Sequence, residues 1–190
     1  EHWRGNVQVQ ATSPGFEVND LGYQRDADRI RSEARLEYVE NQPGEVFREW
    51  NIDLGPDATW NYGGDFLGMG LDAGVRWNLL SYWGGNIDFS HDLAGYDDRL
   101  TRGGPRTQGL ASSRASLHFS SDFRKPWTLR ANTSYEWDEA GGEQIRVGMD
   151  VNLKPSSSWS ISLGPNWQKE RSAAQYLESV EDPLAPSTYG

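Results

Sequence analysis

The sequence of 190 residues contains no cysteine. A fold held together by disulfides and a metal site built on thiolates are therefore both excluded. The sequence also lacks any run that approaches the roughly 20 consecutive apolar residues of a transmembrane helix. A mean hydropathy of -0.76 agrees with that absence.

Basic residues are scarce, since 18 Lys and Arg stand against 28 Asp and Glu and leave a net charge of -10. A protein of this charge repels the phosphate backbone of nucleic acids. The chain also lacks the polybasic cluster by which proteins attach to anionic lipid. We therefore expect no nucleic-acid partner.

Patterns typical of catalytic and metal sites are missing as well. His2, His91 and His118 lie far apart in the sequence and lack the spacing of metal ligands. The sequence has no Gly-x-Ser-x-Gly nucleophile turn and no phosphate-binding loop. We expect no enzyme activity, no metal and no cofactor.

Long alternating segments are what the sequence has in abundance. From Trp127 to Trp137, odd positions are apolar or small and even positions are polar or charged. Because successive side chains point to opposite faces of a strand, this pattern predicts a strand between two different solvents. At about 3.3 Å per residue and a tilt near 45°, the segment rises about 23 Å, the height of the apolar band of a bilayer. Tryptophan at both ends suits the two headgroup interfaces.

The same alternation recurs and predicts about nine strands and no helix, with strands at residues 3–11, 28–40, 46–54, 67–79, 83–92, 109–123, 127–137, 145–153 and 159–167. Short links are predicted near residues 41–44, 80–82, 124–126 and 154–157, and longer links near residues 12–27, 55–65, 93–108 and 138–143. Outer-membrane barrels alternate tight periplasmic turns with longer extracellular loops in the same way. We predict an all-β, antiparallel up-and-down meander that forms part of a transmembrane outer-membrane-type β-barrel.

A soluble antiparallel sandwich shows the same alternation, because its inner face is apolar. Long strands, tryptophans at strand ends and links of alternating length favour the membrane. The alternative is a soluble β-sandwich carbohydrate-binding module, in which some tryptophans lie in the middle of an exposed face. In the membrane interpretation the location is the bacterial outer membrane, and the partners are outer-membrane lipid and the remaining strands of the same barrel.

The extent of the barrel is a separate question. Nine strands is an odd number, whereas bacterial single-chain barrels have an even number. Residue 1 opens almost directly into a strand pattern with no export signal before it, and residues 178–190 have the composition of a loop. We therefore expect residues 1–190 to be a single region and a fragment of a larger barrel.

Two motifs in the predicted long links carry a family resemblance: Ser13-Pro-Gly-Phe-Glu-Val-Asn-Asp-Leu-Gly-Tyr23 and Tyr96-Asp-Asp-Arg-Leu-Thr-Arg-Gly-Gly-Pro105. They resemble the DUF5916 family of envelope proteins, in which a family-9-like carbohydrate-binding module precedes a long C-terminal outer-membrane β-barrel. The resemblance runs over essentially the whole chain, within that C-terminal region. It implies an outer-membrane location and a barrel architecture, and it says little about chemistry. Our own expectation is a structural or pore-like role, with a link to carbohydrate binding or uptake and a carbohydrate as a candidate ligand.

Charged residues on the polar rows of the strands are the candidates for lining a lumen: Asp72, Arg76, Arg130, Glu136, Arg146, Asp150 and Lys154. Such residues either form rings that set the selectivity of a water-filled pore or form ionic ladders that hold the wall together. Acids and bases are interspersed, so we favour ladders for most of them. Arg130, Arg146 and Lys154 are the candidates for a functional basic strip.

The two motifs also supply candidate extracellular residues: Asn19, Asp20, Asp97, Asp98, Arg99 and Arg102. We interpret these segments as a loop or plug that folds inward and is held by pairs of Asp and Arg. The alternative is a ligand or ion site. The sequence Asp97-Asp98 lacks the spaced oxygen ligands of an EF-hand loop, so we expect no calcium site of that kind.

Overall fold

The computed structural model describes residues 2–17, 27–98 and 107–172. These residues contain twelve strands: β1 Trp3–Thr12, β2 Arg29–Glu40, β3 Phe47–Trp60, β4 Phe66–Leu79, β5 Gly84–Leu93, β6 Tyr96–Asp97, β7 Thr107–Gln108, β8 Ser112–Ser120, β9 Trp127–Asp138, β10 Glu143–Ser156, β11 Trp159–Leu163 and β12 Asn166–Arg171. In this part of the chain no helix forms, and so none is long and apolar enough to cross a membrane.

Ten of the strands form one antiparallel sheet in the order β1-β2-β3-β4-β5-β8-β9-β10-β11, with β12 also paired to β10. Strands β6 and β7 pair with each other in the connection between β5 and β8. The predicted all-β antiparallel meander is therefore confirmed. Over the described residues the sheet is open, because β1 has β2 as its one pairing partner.

All nine predicted strands are present, but a proline changes the extent of the third. The prediction ends that strand at residue 54, whereas β3 continues to Trp60. The β2–β3 ladder skips Gly55 and Pro56, while the β3–β4 ladder includes both residues. Proline has no N–H to donate, so pairing is lost on one side only and the strand continues. The long link predicted at residues 55–65 is wrong, and the observed link is residues 61–65.

A second proline divides the last predicted strand. Residues 159–167 were expected to form one strand, but the chain breaks at Gly164 and Pro165 into β11 and β12. Both pieces pair with β10. The Met149 N–H donates to the Pro165 carbonyl oxygen over 3.1 Å, so the chain stays beside β10 across the break.

The links lie alternately at two ends of the sheet. Residues 41–46, 80–83, 121–126 and 157–158 form what we call the turn end. The β1–β2, β3–β4, β5–β8 and β9–β10 links begin and end at the opposite end, which we call the loop end. Both long links are at the loop end, as predicted, but the other two links there are as short as those at the turn end.

The sheet has two chemically different faces. Cross-strand register places one row on the apolar face: Trp3, Tyr38, Ile52, Val75, Ile87, Leu117, Thr133, Val147 and Trp167. The opposite, polar face carries the row Glu37, Asp53, Gly74, Asp88, Ser116, Ser134, Arg146 and Gln168. No hydrophobic residue of the described chain is buried, so the apolar face is uncovered.

Candidate functional site

The polar face is the concave face of the sheet. Polar side chains from six neighbouring strands line one open cavity of about 540 Å³, and the lining residues include Asn6, Arg31, Asp53, Asp72, Asp88 and Arg114. Residues on six adjacent strands enclose a common volume only where the sheet curls toward them. We call this surface the polar trough.

Glycines on β4 leave room in the polar trough for the acids of β3. Gly70 and Gly74 lie directly opposite Asp57 and Asp53. A Cβ at Gly74 would lie 3.0 Å from Asp53 Oδ1, and a Cβ at Gly70 would overlap the Asp57 carboxylate. Any larger residue at these two positions would displace the neighbouring carboxylates.

Charged and amide side chains pair across the strands of the polar face. The Arg35 Nη2 lies 2.9 Å from Asp53 Oδ2, and the Arg114 Nη2 lies 3.5 Å from Glu136 Oε2. The Asn51 Nδ2 donates to Glu37 Oε1 over 2.7 Å. These contacts are cross-strand pairs of the kind that the ladder interpretation expects.

Six of the seven residues predicted to line a lumen lie on the polar rows of the sheet: Asp72, Arg76, Arg130, Glu136, Arg146 and Asp150. Asp72 and Arg76 line the polar trough itself. Arg130 lies directly opposite Asp150 in the β9–β10 pair, so an acid interrupts the basic strip there. Lys154 is exposed near the turn end, where the β10–β11 register shifts.

Among the loop candidates, Asp98 takes part in a long-range ion pair. It accepts hydrogen bonds from Arg29 Nη1 over 3.0 Å and from Nη2 over 2.6 Å. Asp97 lies in β6, opposite Thr107. Four further candidates lie outside the described residues: Asn19, Asp20, Arg99 and Arg102. No local sequence pattern marks Arg29 as a site residue, because its partner is 69 positions away.

Aromatic contacts gather at the two ends of the sheet. At the turn end, ring centroids lie 5.0 Å apart in Trp3–Tyr38 and 6.1 Å apart in Trp83–Trp127. At the loop end, the corresponding distances are 6.2 Å in Trp60–Phe66 and 5.1 Å in Tyr135–Trp137. The rings therefore form two levels, separated by the length of the strands.

At the turn end, Asp122 is held by its neighbour Arg124 within the β8–β9 link. The Asp122 Oδ1 accepts from the Arg124 backbone N–H over 3.0 Å and from Nε over 2.8 Å, and Oδ2 accepts from Nη2 over 2.8 Å. The hydrogen-bonded guanidinium lowers the pKa of Asp122 from 3.8 to about 2. The same guanidinium lies 3.2 Å from the centroid of the Tyr82 ring, which joins two turns.

On the apolar face, His91 Nδ1 and Ser113 Oγ lie 2.8 Å apart. Within the described residues, Ser113 is the only hydrogen-bond partner of this imidazole. A serine hydrolase also needs a third group that orients the imidazole. We therefore interpret the contact as a hydrogen bond by which His91 and Ser113 each give the other a polar partner on an apolar face. No group of three or more His, Cys, Asp or Glu in the described ranges could hold a metal ion.

The comparisons with known proteins agree with the resemblance of the two loop motifs. The family model described as Domain of unknown function (DUF5916) matches residues 1–187. No curated protein and no solved structure matches the chain. The match covers nearly the whole sequence, so this chain belongs to the DUF5916 family.

Proposed function

We propose that this chain is part of a bacterial outer-membrane β-barrel, with the polar trough on the inside and the apolar face against lipid. The observation that carries the proposal is the direction of curvature. In soluble barrels and sandwiches the enclosed face is the apolar one. In outer-membrane barrels the apolar face is the outer one and the interior is polar. This sheet curls toward its polar face.

The uncovered apolar face also supports the proposal. Large apolar residues along the middle strands are exposed to solvent. The exposed fraction is 45% for Leu54 and 50% for Ile87. Soluble monomers rarely expose contiguous apolar patches larger than a few hundred Å². Within the described residues, the second sheet consists of β6 and β7, which have two residues each and are too small to cover this face. Contact with lipid accounts for such a face.

Five strands of the sheet are long enough to cross a bilayer at a tilt. A tilted membrane strand needs about 9 to 11 residues. Strands β3, β4 and β10 have 14 residues each, and β2 and β9 have 12 each. The two aromatic levels lie at the ends of these strands, where Trp and Tyr favour the headgroup interfaces.

The role that we propose is structural or pore-like. Guanidinium, carboxylate, amide and hydroxyl groups line the polar trough, and such groups hydrate a path for water, ions and small polar solutes. Carbohydrates are solutes of this kind, because their hydroxyls both donate and accept hydrogen bonds. The link to carbohydrate binding or uptake rests on the family resemblance and is part of this proposal.

Flotation of the full-length protein, refolded with liposomes, tests the proposal. We expect the protein to float with the lipid and to resist alkaline extraction, because its apolar face is inserted. Folded protein that stays soluble at the bottom of the gradient would contradict the proposal. That outcome would favour the alternative, a soluble β-sandwich carbohydrate-binding module, and binding to immobilised glycans would then be the next measurement.

A further inference from the structure

The connection that follows β5 leads away from β5 and β8, the two strands that it joins, and toward β2. Residues 94–98, which we call the strap, lead from Leu93 to the Asp98 carboxylate, which contacts Arg29 at the start of β2. Strands β4 and β3 lie between β5 and β2, so the contact reaches past two intervening strands. The strap passes over the start of β4, and the long Arg29 side chain reaches from β2 to meet Asp98 at the loop end.

Close backbone contacts fix the path of the strap over β4. A Cβ at Gly95 would overlap the backbone of Leu67 and Gly68, so only glycine allows this approach. On its other side, the Gly95 carbonyl oxygen accepts from the Gly109 N–H over 2.8 Å. The strap is thus held between the start of β4 and the segment that returns to β8.

The far end of the strap is fixed by the Arg29–Asp98 pair. The side chains of Arg29 and Asp98 are 10% and 18% exposed, and their two hydrogen bonds form a bidentate contact. Shielded bidentate pairs of arginine and carboxylate are among the stronger polar contacts in proteins. Arg29 Nη1 also donates to the Asp28 carbonyl oxygen over 2.8 Å, and the Tyr62 N–H donates to Asp28 Oδ1 over 2.9 Å. Three loop-end links therefore meet at this pair.

Strand alternation places the anchor on the inner side of the sheet. Arg29 has the same parity as Arg31, Glu33 and Arg35, all of which line the polar trough. Side chains two residues apart on a strand share a face. The strap is therefore tied to the polar side of the sheet at the loop end, next to the residues that line the trough.

We propose that the strap is the constriction of the polar passage and that the Arg29–Asp98 pair sets its width. The inference rests on the proposed function, because a constriction has meaning only if the trough lines a passage. With the pair intact, the strap limits passage to water, ions and small polar solutes. With the pair broken, the strap is released at its β2 end and the passage widens.

Unitary conductance of the full-length protein in planar bilayers tests the inference. Residues 1–190 contain no cysteine, so Arg29→Cys with Asp98→Cys introduces the one thiol pair of this region. We expect the reduced double variant to conduct roughly two-fold or more above the unmodified protein, because the narrowest cross-section governs conductance. A short bifunctional thiol cross-linker should return conductance to the starting level. Asp98→Asn keeps the shape of the side chain and should give a smaller increase in the same direction.

Arg124→Ala is the matched control, because Arg124 also forms a bidentate pair with an acid, Asp122, but lies at the turn end and does not line the trough. We expect it to change conductance less than Asp98→Asn. Equal conductance of all variants, with or without cross-linker, would overturn the constriction and leave the barrel proposal intact. Inserted protein that conducts in no variant would overturn it as well. Failure of the unmodified protein to insert at all would instead overturn the proposed function and the inference together.

Discussion

Ser90 and Asp72 lie directly opposite each other across β5 and β4, and strand alternation puts both side chains on the polar face. The next residue back along β5, Phe89, lies on the other face, opposite Ala73 and Ala115. One step along a strand therefore separates the surface that we assign to water from the surface that we assign to lipid.

This pair of neighbours gives a direct test of the two faces. We expect Phe89→Arg to cost about 2–4 kcal/mol, the cost of an arginine facing lipid near mid-depth. Ser90→Arg introduces the same charge opposite Asp72 on the wet face, so we expect little loss. Urea titration of the folded fraction in lipid measures both variants. Equal destabilisation would contradict a difference between the two faces, and a larger effect of Ser90→Arg would mean that the faces are assigned the wrong way round.

A second prediction concerns the contact between Gly85 and Trp77. They lie opposite each other in the β4–β5 pair, and a Cβ at Gly85 would be 2.6 Å from Trp77 Cζ2 and 2.6 Å from the His118 carbonyl oxygen. We expect Gly85→Ala to lower the free energy of unfolding by about 1–3 kcal/mol, because the indole and the neighbouring strand must both move.

Gly55→Ala is the control for this substitution, since a Cβ there meets the Ala34 carbonyl oxygen at an ordinary 3.5 Å. Both variants remove the same backbone freedom from the unfolded chain. Chemical denaturation of the two proteins side by side separates the steric effect from the entropic one. A Gly55→Ala variant as unstable as Gly85→Ala would refute the packing argument.

The third prediction is a dependence of stability on pH at the turn end. The pKa of Asp122 is lowered to about 2 in the folded protein by the hydrogen bonds from Arg124, against 3.8 ordinarily. The stabilisation from this carboxylate is therefore fully present above pH 3.8 and is lost as pH falls toward 2. We expect the unfolding midpoint of the unmodified protein to fall in this window more steeply than that of Asp122→Asn. Parallel pH profiles would show that the contact contributes nothing.

Local patterns predicted the strands because side-chain alternation is a property of neighbouring residues. Trp127 to Trp137 was predicted as a strand, and β9 runs over the same residues with one more at its end. Pro56 and Pro165 show where that reasoning stops. The effect of a proline depends on which side of the strand its missing N–H faces, and the sequence does not contain that information.

For the candidate site as well, the sequence predicts the face on which a residue lies but not its distant partners. Alternation alone put Asp72, Arg76 and Arg130 on a common polar face, where the structure has them. The pairing of Arg29 with Asp98 could not be predicted from the sequence, because it depends on the path of the strap past two intervening strands. Asp98 does pair with an arginine, but that arginine, Arg29, lies in neither of the two loop motifs.

The depth of the nine tryptophans in a bilayer tests the central claim most directly. The full-length protein would be refolded into liposomes whose lipids carry a quencher at one of several known depths, and tryptophan fluorescence would be compared between them. If the chain spans the membrane, quenching will be concentrated at two interfacial levels and weak at the centre, because the aromatic contacts gather at the turn end and the loop end. Quenching that is equally weak at every depth would contradict a spanning barrel.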